Sequence, residues 1–109
     1  MKFENSKLNI RDFSEMQLSS TVLAALSKMS ISKPTSVQSQ AIPVGVAGSD
    51  LVAIAQTGSG KTLAYALSVL TRLEQAPEAR ALVLAPSREM ALQIHKVFLE
   101  LCHELPITA

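Results

Sequence analysis

Residues 55–62 read AQTGSGKT and follow directly on the apolar run LVAIA at 51–55. Two glycines one residue apart, Gly58 and Gly60, followed by Lys61 and Thr62, are the residue types that hold phosphate. Gly58 and Gly60 allow backbone angles and a close approach that a Cβ would block. Lys61 carries an ammonium to the β- and γ-phosphates of a nucleotide, and Thr62 offers a hydroxyl to Mg²⁺. A buried strand before the loop and a helix after it would aim backbone N–H groups and a helix dipole at the anion. The spacing is that of G-x-x-x-x-G-K-[ST], with Ala55 where the first glycine stands. Ala55 ends the apolar run and has no need of a positive φ. An ordinary turn with a solvated lysine is the plainer alternative, but it leaves strand, helix and register to coincidence. Kinases, GTPases, transporters and motor ATPases all use such loops, so the neighbouring residues must select among them.

The elements that must position this loop are legible on both sides of it. Residues 1–12 are polar. From about Ser19, the spacing of Val22, Leu23, Leu26 and Met29 predicts a helix, with LSS before it as the cap. Lys33 precedes Pro34 and is biased towards extended backbone, which ends that helix. Thr35 with Gln38 forms a T-x-x-Q capping box that opens a second helix over SVQSQAI, and Pro43 interrupts it or begins a further turn. The runs LVAIA (51–55) and ALVLA (81–85) predict strands buried on both faces of a parallel sheet. Between them lies a helix from Lys61 to Gln75 with Leu63, Leu67 and Leu70 on one face. Strand, helix and strand make a right-handed βαβ unit, so the fold class is α/β with helices flanking a parallel sheet. A last helix begins near Ser87 with the stripe Met90, Ile94, Val97, Phe98 and Leu101, and LPITA approaches another strand.

Composition bounds the rest. The 109 residues make one small domain or a piece of a larger one, and 48% are apolar, which is core-forming material. A net charge of +1 gives no basic imbalance of the kind that marks nucleic-acid binding by composition. The lone Cys102 excludes an internal disulfide and a cysteine-based metal cluster, and beside an apolar stripe it reads as half-buried packing. His95 and His103 read as surface residues. No stretch has the length of a signal peptide core or a membrane span, so a cytoplasmic protein without membrane contact is expected.

Phe13, then KPTSVQSQAIP, then AQTGSGKT, then APSREMALQI occur in that order, and together they resemble the DEAD-box RNA helicases. The family's Q motif has an upstream aromatic, then Gly-aromatic, two residues and Pro-Thr-x-Ile-Gln; Phe13 and PTSVQ match it, with Gln38 at the glutamine. Its first motif, A-x-T-G-x-G-K-T, explains Ala55, and its P-T-R-E-L-A motif stands here as PSREMA at 86–91. The resemblance runs from Phe13 to the end of the chain. It implies that residues 13–109 are the N-terminal portion of the first RecA-like domain, truncated before the later strands, behind a polar segment at 1–12.

The resemblance also implies ATP and Mg²⁺ as cofactors. ATP would be held by Ala55, Gln56, Thr57, Gly58, Ser59, Gly60, Lys61 and Thr62, with Lys61 and Thr62 as the residues serving catalysis and Thr62 meeting the metal. Gln38 would pair with adenine N6 and N7, the two-point pairing a carboxamide makes with that base; its other reading is the capping box alone. Phe13 would line the base site, against the plainer reading of a core phenylalanine. Lys33 would contribute a backbone carbonyl to the base. Pro86, Ser87, Arg88 and Glu89 would meet the RNA sugar–phosphate backbone without reading sequence, although Ser87 as N-cap and Glu89 in the first turn would suffice without a ligand. The departure that matters is Ser30-Ile31 in place of Gly-aromatic, since Ile31 has apolar area without a π-face.

Neither apolar run ends in a carboxylate, so the groups that hold Mg²⁺ and position water for hydrolysis are not among these residues. The family's D-E-A-D and S-A-T segments and its second RecA-like domain are likewise missing. The sequence is thus expected to be a fragment or a truncated product, unable by itself to hydrolyse ATP. In the family, strands of the missing portion lie between the two runs seen here, so these runs should not pair with each other and would leave open edges. Two further readings stand beside ATP-dependent RNA unwinding by the complete protein. One is another P-loop enzyme such as a small-molecule kinase, and the other is a non-catalytic nucleotide- or RNA-binding module.

Overall fold

The computed structural model describes residues 12–103 and 105–109, so all but the last residue of the polar N-terminal segment lies outside it. A 3₁₀ turn, Phe13–Met16, precedes four helices: α1 Ser20–Lys28, α2 Ser36–Val46, α3 Lys61–Gln75 and α4 Arg88–Cys102. The Asp12 side chain starts the 3₁₀ turn by accepting from the Ser14 amide at 3.0 Å, and that backbone bond holds its carboxyl below the ordinary value. Phe13 and Met16 are thereby turned into the core.

Each flanking helix begins on its own side chain. Ser19 Oγ accepts from Val22 N at 3.1 Å at the start of α1, and its hydroxyl donates to Glu74 Oε1 at 2.8 Å, which joins the start of α1 to the end of α3. Both halves of the capping box are present on α2: Thr35 N donates to Gln38 Oε1 at 2.9 Å and Gln38 N to Thr35 Oγ1 at 3.4 Å. Ser87 Oγ accepts from Met90 N at 3.2 Å and opens α4. The leucine face of α3 is buried as its spacing predicts, with Leu63, Leu67 and Leu70 all inside.

Two helix expectations are corrected. Pro43 does not interrupt α2, which runs on to Val46. The ring removes one bond to the carbonyl of Ser39, but Ala41 and Ile42 just before it are buried and keep the helix on the core. On α4 the stripe is narrower than its spacing suggests. Ile94, Phe98 and Leu101 are buried, whereas Met90, in the first turn, is 40% exposed. The rings of Tyr65 and Phe98, with centroids 6.4 Å apart, mark where α3 and α4 meet.

No strand is found among the described residues; 51–55 and 81–85 carry no ladder. Each run has an open face, with Ile54 96% exposed and Leu82 and Leu84 83% exposed, while Leu51 and Ala85 lie half-buried against the helices. The reason is physical: a strand becomes sheet only beside a partner, and these two runs do not serve as partners to each other. Residues 105–109 likewise form no regular element.

The end of α1 shows what Ser30-Ile31 does to the backbone. Ser30 N donates to Ser27 O and Ile31 N to Leu26 O, each at 3.0 Å, the paired bonds of a Schellman C-cap. Ser30 holds φ +60°, a left-handed conformation that favours glycine. Ser30 thus holds, at a cost, a conformation that a glycine adopts freely. Ser30→Gly is expected to raise stability by about 1 kcal/mol, read by chemical denaturation. A fall in stability would show that the serine side chain contributes more than its backbone strain costs.

Candidate functional site

The loop between 51–55 and α3 is built from short-range bonds. Ser59 N donates to Gln56 O at 3.1 Å, and Gly58 and Gly60 take φ +85° and +88°. Lys61 folds back across the loop, and its Nζ donates to Ala55 O at 2.6 Å, joining the first and last parts of the turn. Two of the three ammonium donors stay uncommitted to that carbonyl.

Helix α3 differs from α1, α2 and α4 in having no side-chain cap, because Gly60 is its N-cap. Its leading N–H groups therefore have no side-chain acceptor, and no acidic residue occupies its first turn. An uncapped helix start fifteen residues long, with a lysine at its first position, favours an anion. Within the loop, Ser59 Oγ is buried without a hydrogen-bond partner. Thr62 is half-buried on the first turn of α3.

Gln38 reaches this loop from α2. Its Oε1 accepts from Thr35 N, and its Nε2 donates to Gly60 O at 3.2 Å, leaving the residue 3% exposed. The Gly60 carbonyl also accepts from Ala64 N at 3.1 Å, so one oxygen ties α2 to the first turn of α3. A Cβ on Gly60 would collide with Gln38 Nε2, whereas one on Gly58 would meet nothing within 4 Å. The sequence reading missed this link, since nothing local joins residues 22 positions apart. Gln38 retains one N–H and one lone pair beyond these bonds.

The other residues singled out from the sequence fall in two further places. Phe13, 3% exposed, belongs to the core, yet it also lines an open cavity of about 460 Å³ together with Leu23, Leu26, Ser30 and Ile31. Lys33 is exposed on the segment leading from that cavity to α2. Pro86, Ser87, Arg88 and Glu89 are exposed at the start of α4 and make a separate surface. His95 and His103 are exposed; Cys102 is half-buried, and burial pushes its thiol above the ordinary value, away from thiolate chemistry. No cluster of three or more metal-ligating side chains occurs among the described residues.

This loop, closed by its lysine and running into an uncapped helix, defines a P-loop nucleotide-binding fold of the RecA-like class, and solved structures of the same shape support that. The crystal structure of the RNA helicase Prp28 from Chaetomium thermophilum bound to ADP matches with a TM-score of 0.84 at 32% identity, covering 92% of this chain and 26% of that one. A DEAD box protein from Methanococcus jannaschii matches with a TM-score of 0.78 at 32% identity, over 84% of this chain and 26% of that one. The family model for the DEAD/DEAH box helicase matches residues 35–109, and the chain belongs to that family. It is 46% identical over 100 residues to the probable ATP-dependent RNA helicase DDX27 of Bos taurus, which covers 88% of this chain and 13% of that protein. It is 45% identical over 94 residues to the ATP-dependent rRNA helicase RRP3 of Debaryomyces hansenii, covering 85% of this chain and 20% of that protein. The chain thus spans a fifth or less of the length of these relatives.

The two glycines separate conformation from contact. Gly58→Ala is expected to cost about 1 kcal/mol, the strain of a left-handed φ alone. Gly60→Ala carries the same strain plus displacement of Gln38, and is expected to cost at least about 1 kcal/mol more. Denaturation of the two variants side by side tests this, and equal losses would show that the Gln38–Gly60 bond contributes nothing.

Proposed function

We propose that this chain is the nucleotide-binding portion of the first RecA-like domain of an ATP-dependent RNA helicase, spanning residues 13–109, and that the complete protein locally separates RNA duplexes. The observation that carries the reading is the start of α3: it lacks a side-chain cap and is enclosed by a lysine-closed loop. In the complete domain the runs 51–55 and 81–85 would become strands of a parallel sheet, with strands from elsewhere in the polypeptide between them, a reading supported by their open apolar faces.

The nucleotide's phosphates sit over Gly58–Thr62, where backbone N–H groups and the free donors of Lys61 meet them. Ala55, Gln56 and Thr57 carry the chain into the loop, and the buried hydroxyl of Ser59 is a polar group without a partner inside it. Thr62 is the residue that would hold Mg²⁺, which would supply positive charge to offset that of the phosphates. Thr62 supplies a single hard oxygen, which suits a metal that takes its remaining ligands from phosphate and water. Gln38, with one donor and one acceptor left, faces adenine N7 and N6–H, with Phe13 and the Lys33 carbonyl at the base. Because Gln38 also holds Gly60, it couples base choice to the geometry of the loop.

At Pro86–Glu89 the opening N–H groups of α4 and the exposed Arg88 hold an RNA backbone phosphate, a contact that positions a strand and reads no sequence. Hydrolysis needs carboxylates that hold Mg²⁺ and position water, and neither apolar run ends in one.

In the full-length polypeptide, Lys61→Ala is expected to lower RNA-stimulated ATP turnover by at least about a hundredfold. Undiminished turnover would remove the loop from the mechanism. Gln38→Ala is expected to weaken ATP binding and narrow the ATP-over-GTP preference. Equal weakening of both nucleotides would assign Gln38 to the loop alone, and unchanged binding would leave it only the cap.

A further inference from the structure

Gly45 stands in the last turn of α2 without a positive φ, so its backbone has no need of glycine. A glycine there weakens the helix, and the facing helix supplies the reason for it. A Cβ on Gly45 would stand 2.5 Å from Ser68 Oγ and 2.7 Å from Ser68 Cβ. Ser68 is buried on α3, and its hydroxyl donates to Ala64 O at 3.0 Å. Turning that hydroxyl aside would relieve the first approach. The second involves Cβ, which moves only with the backbone of α3.

This contact lies on the same helix faces as the Gln38–Gly60 bond. Gln38 and Gly45 are seven residues apart, and Gly60 and Ser68 eight apart. Each pair therefore shares one face, separated by about two turns or roughly 10–12 Å. So α2 and α3 meet through a hydrogen bond at their starts and a close backbone approach two turns on. Ala64 belongs to both places, with its N–H on Gly60 O and its carbonyl on Ser68 Oγ. With alanine at 45 the two backbones must part by roughly 1 Å to restore carbon–carbon contact distance, because a packed interior does not compress. The Gln38 Nε2–Gly60 O bond is already 3.2 Å long, at the far end of the ordinary range, and has no slack to absorb a parting. We infer that Gly45 and Ser68 are positioning residues of the nucleotide site: their contact sets the spacing of α2 on α3 and through it the reach of Gln38 to the loop. The inference rests on the nucleotide reading above and adds two residues, remote from the loop, that tune it.

Titration of fluorescent ADP and fluorescent GDP into the full-length polypeptide, with folding checked by circular dichroism, tests it. Gly45→Ala is expected to weaken ADP binding about tenfold and to narrow the ADP-over-GDP preference. The exchange Gly45→Ala/Ser68→Gly moves the glycine to the facing helix, and is expected to return both quantities to within about threefold of the unmodified protein. In a Gln38→Ala background, Gly45→Ala is expected to add less than about a twofold loss, since the link it acts through is gone. A folded Gly45→Ala with unchanged binding makes the contact merely structural and overturns the inference. An undiminished further loss in the Gln38→Ala background overturns it too, as does an exchange variant that stays weak or fails to fold. Where Gly45→Ala alone does not fold, Ser68→Thr, which adds one methyl to the same contact, takes its place under the same criteria. Each of these outcomes leaves the nucleotide reading intact, whereas failure of the unmodified protein to bind ADP overturns both.

Discussion

The carbonyl of Gly60 is the constraint on which the site depends. It accepts from Ala64 N and from Gln38 Nε2 at once, so a helix start and a side chain 22 residues earlier converge on one oxygen. That convergence is possible only at a glycine, because a Cβ would occupy the space of the glutamine amide. It also requires α2 to begin where it does, since the capping box with Thr35 sets the direction of Gln38. The capping box thus fixes more than one helix end: it orients a donor towards a loop on another element. Packing of α2 against α3, the most extensive helix contact among the described residues, keeps the two ends in register.

Much of this was legible in the residues. The loop, its glycines, the three side-chain caps and the leucine face of α3 follow from local spacing, and local chemistry is what sequence patterns report. The link from Gln38 to Gly60 was not, because it depends on how α2 lies on α3. Pro43 misled for the opposite reason, since burial of the neighbouring residues outweighs a local helix breaker. Met90 shows a third limit: helical periodicity places a residue on a stripe, but only a neighbouring element decides whether the stripe is covered.

The apolar runs mark the boundary between what local pattern gives and what pairing must add. Their composition is that of buried strands, yet Val52, Ile54, Leu82 and Leu84 lie exposed. Apolar composition states what surroundings a segment suits and cannot supply its partners. The helical frame is different, because α1 to α4 bury Val22, Ile42, Leu67 and Leu101 completely among themselves. The phosphate loop is anchored to that frame through Gln38 and Lys61, so its geometry does not wait on the sheet.

The bond from Lys61 to the Ala55 carbonyl has an entropic consequence. It closes the backbone of 55–61 into a ring held by a side chain, with the Ser59–Gln56 turn inside it. The torsional freedom of those residues is therefore surrendered during folding and not at the moment of encounter with a ligand. A polyanion arriving at such a preorganised ring meets donors already aligned, and more of its interaction energy remains as affinity.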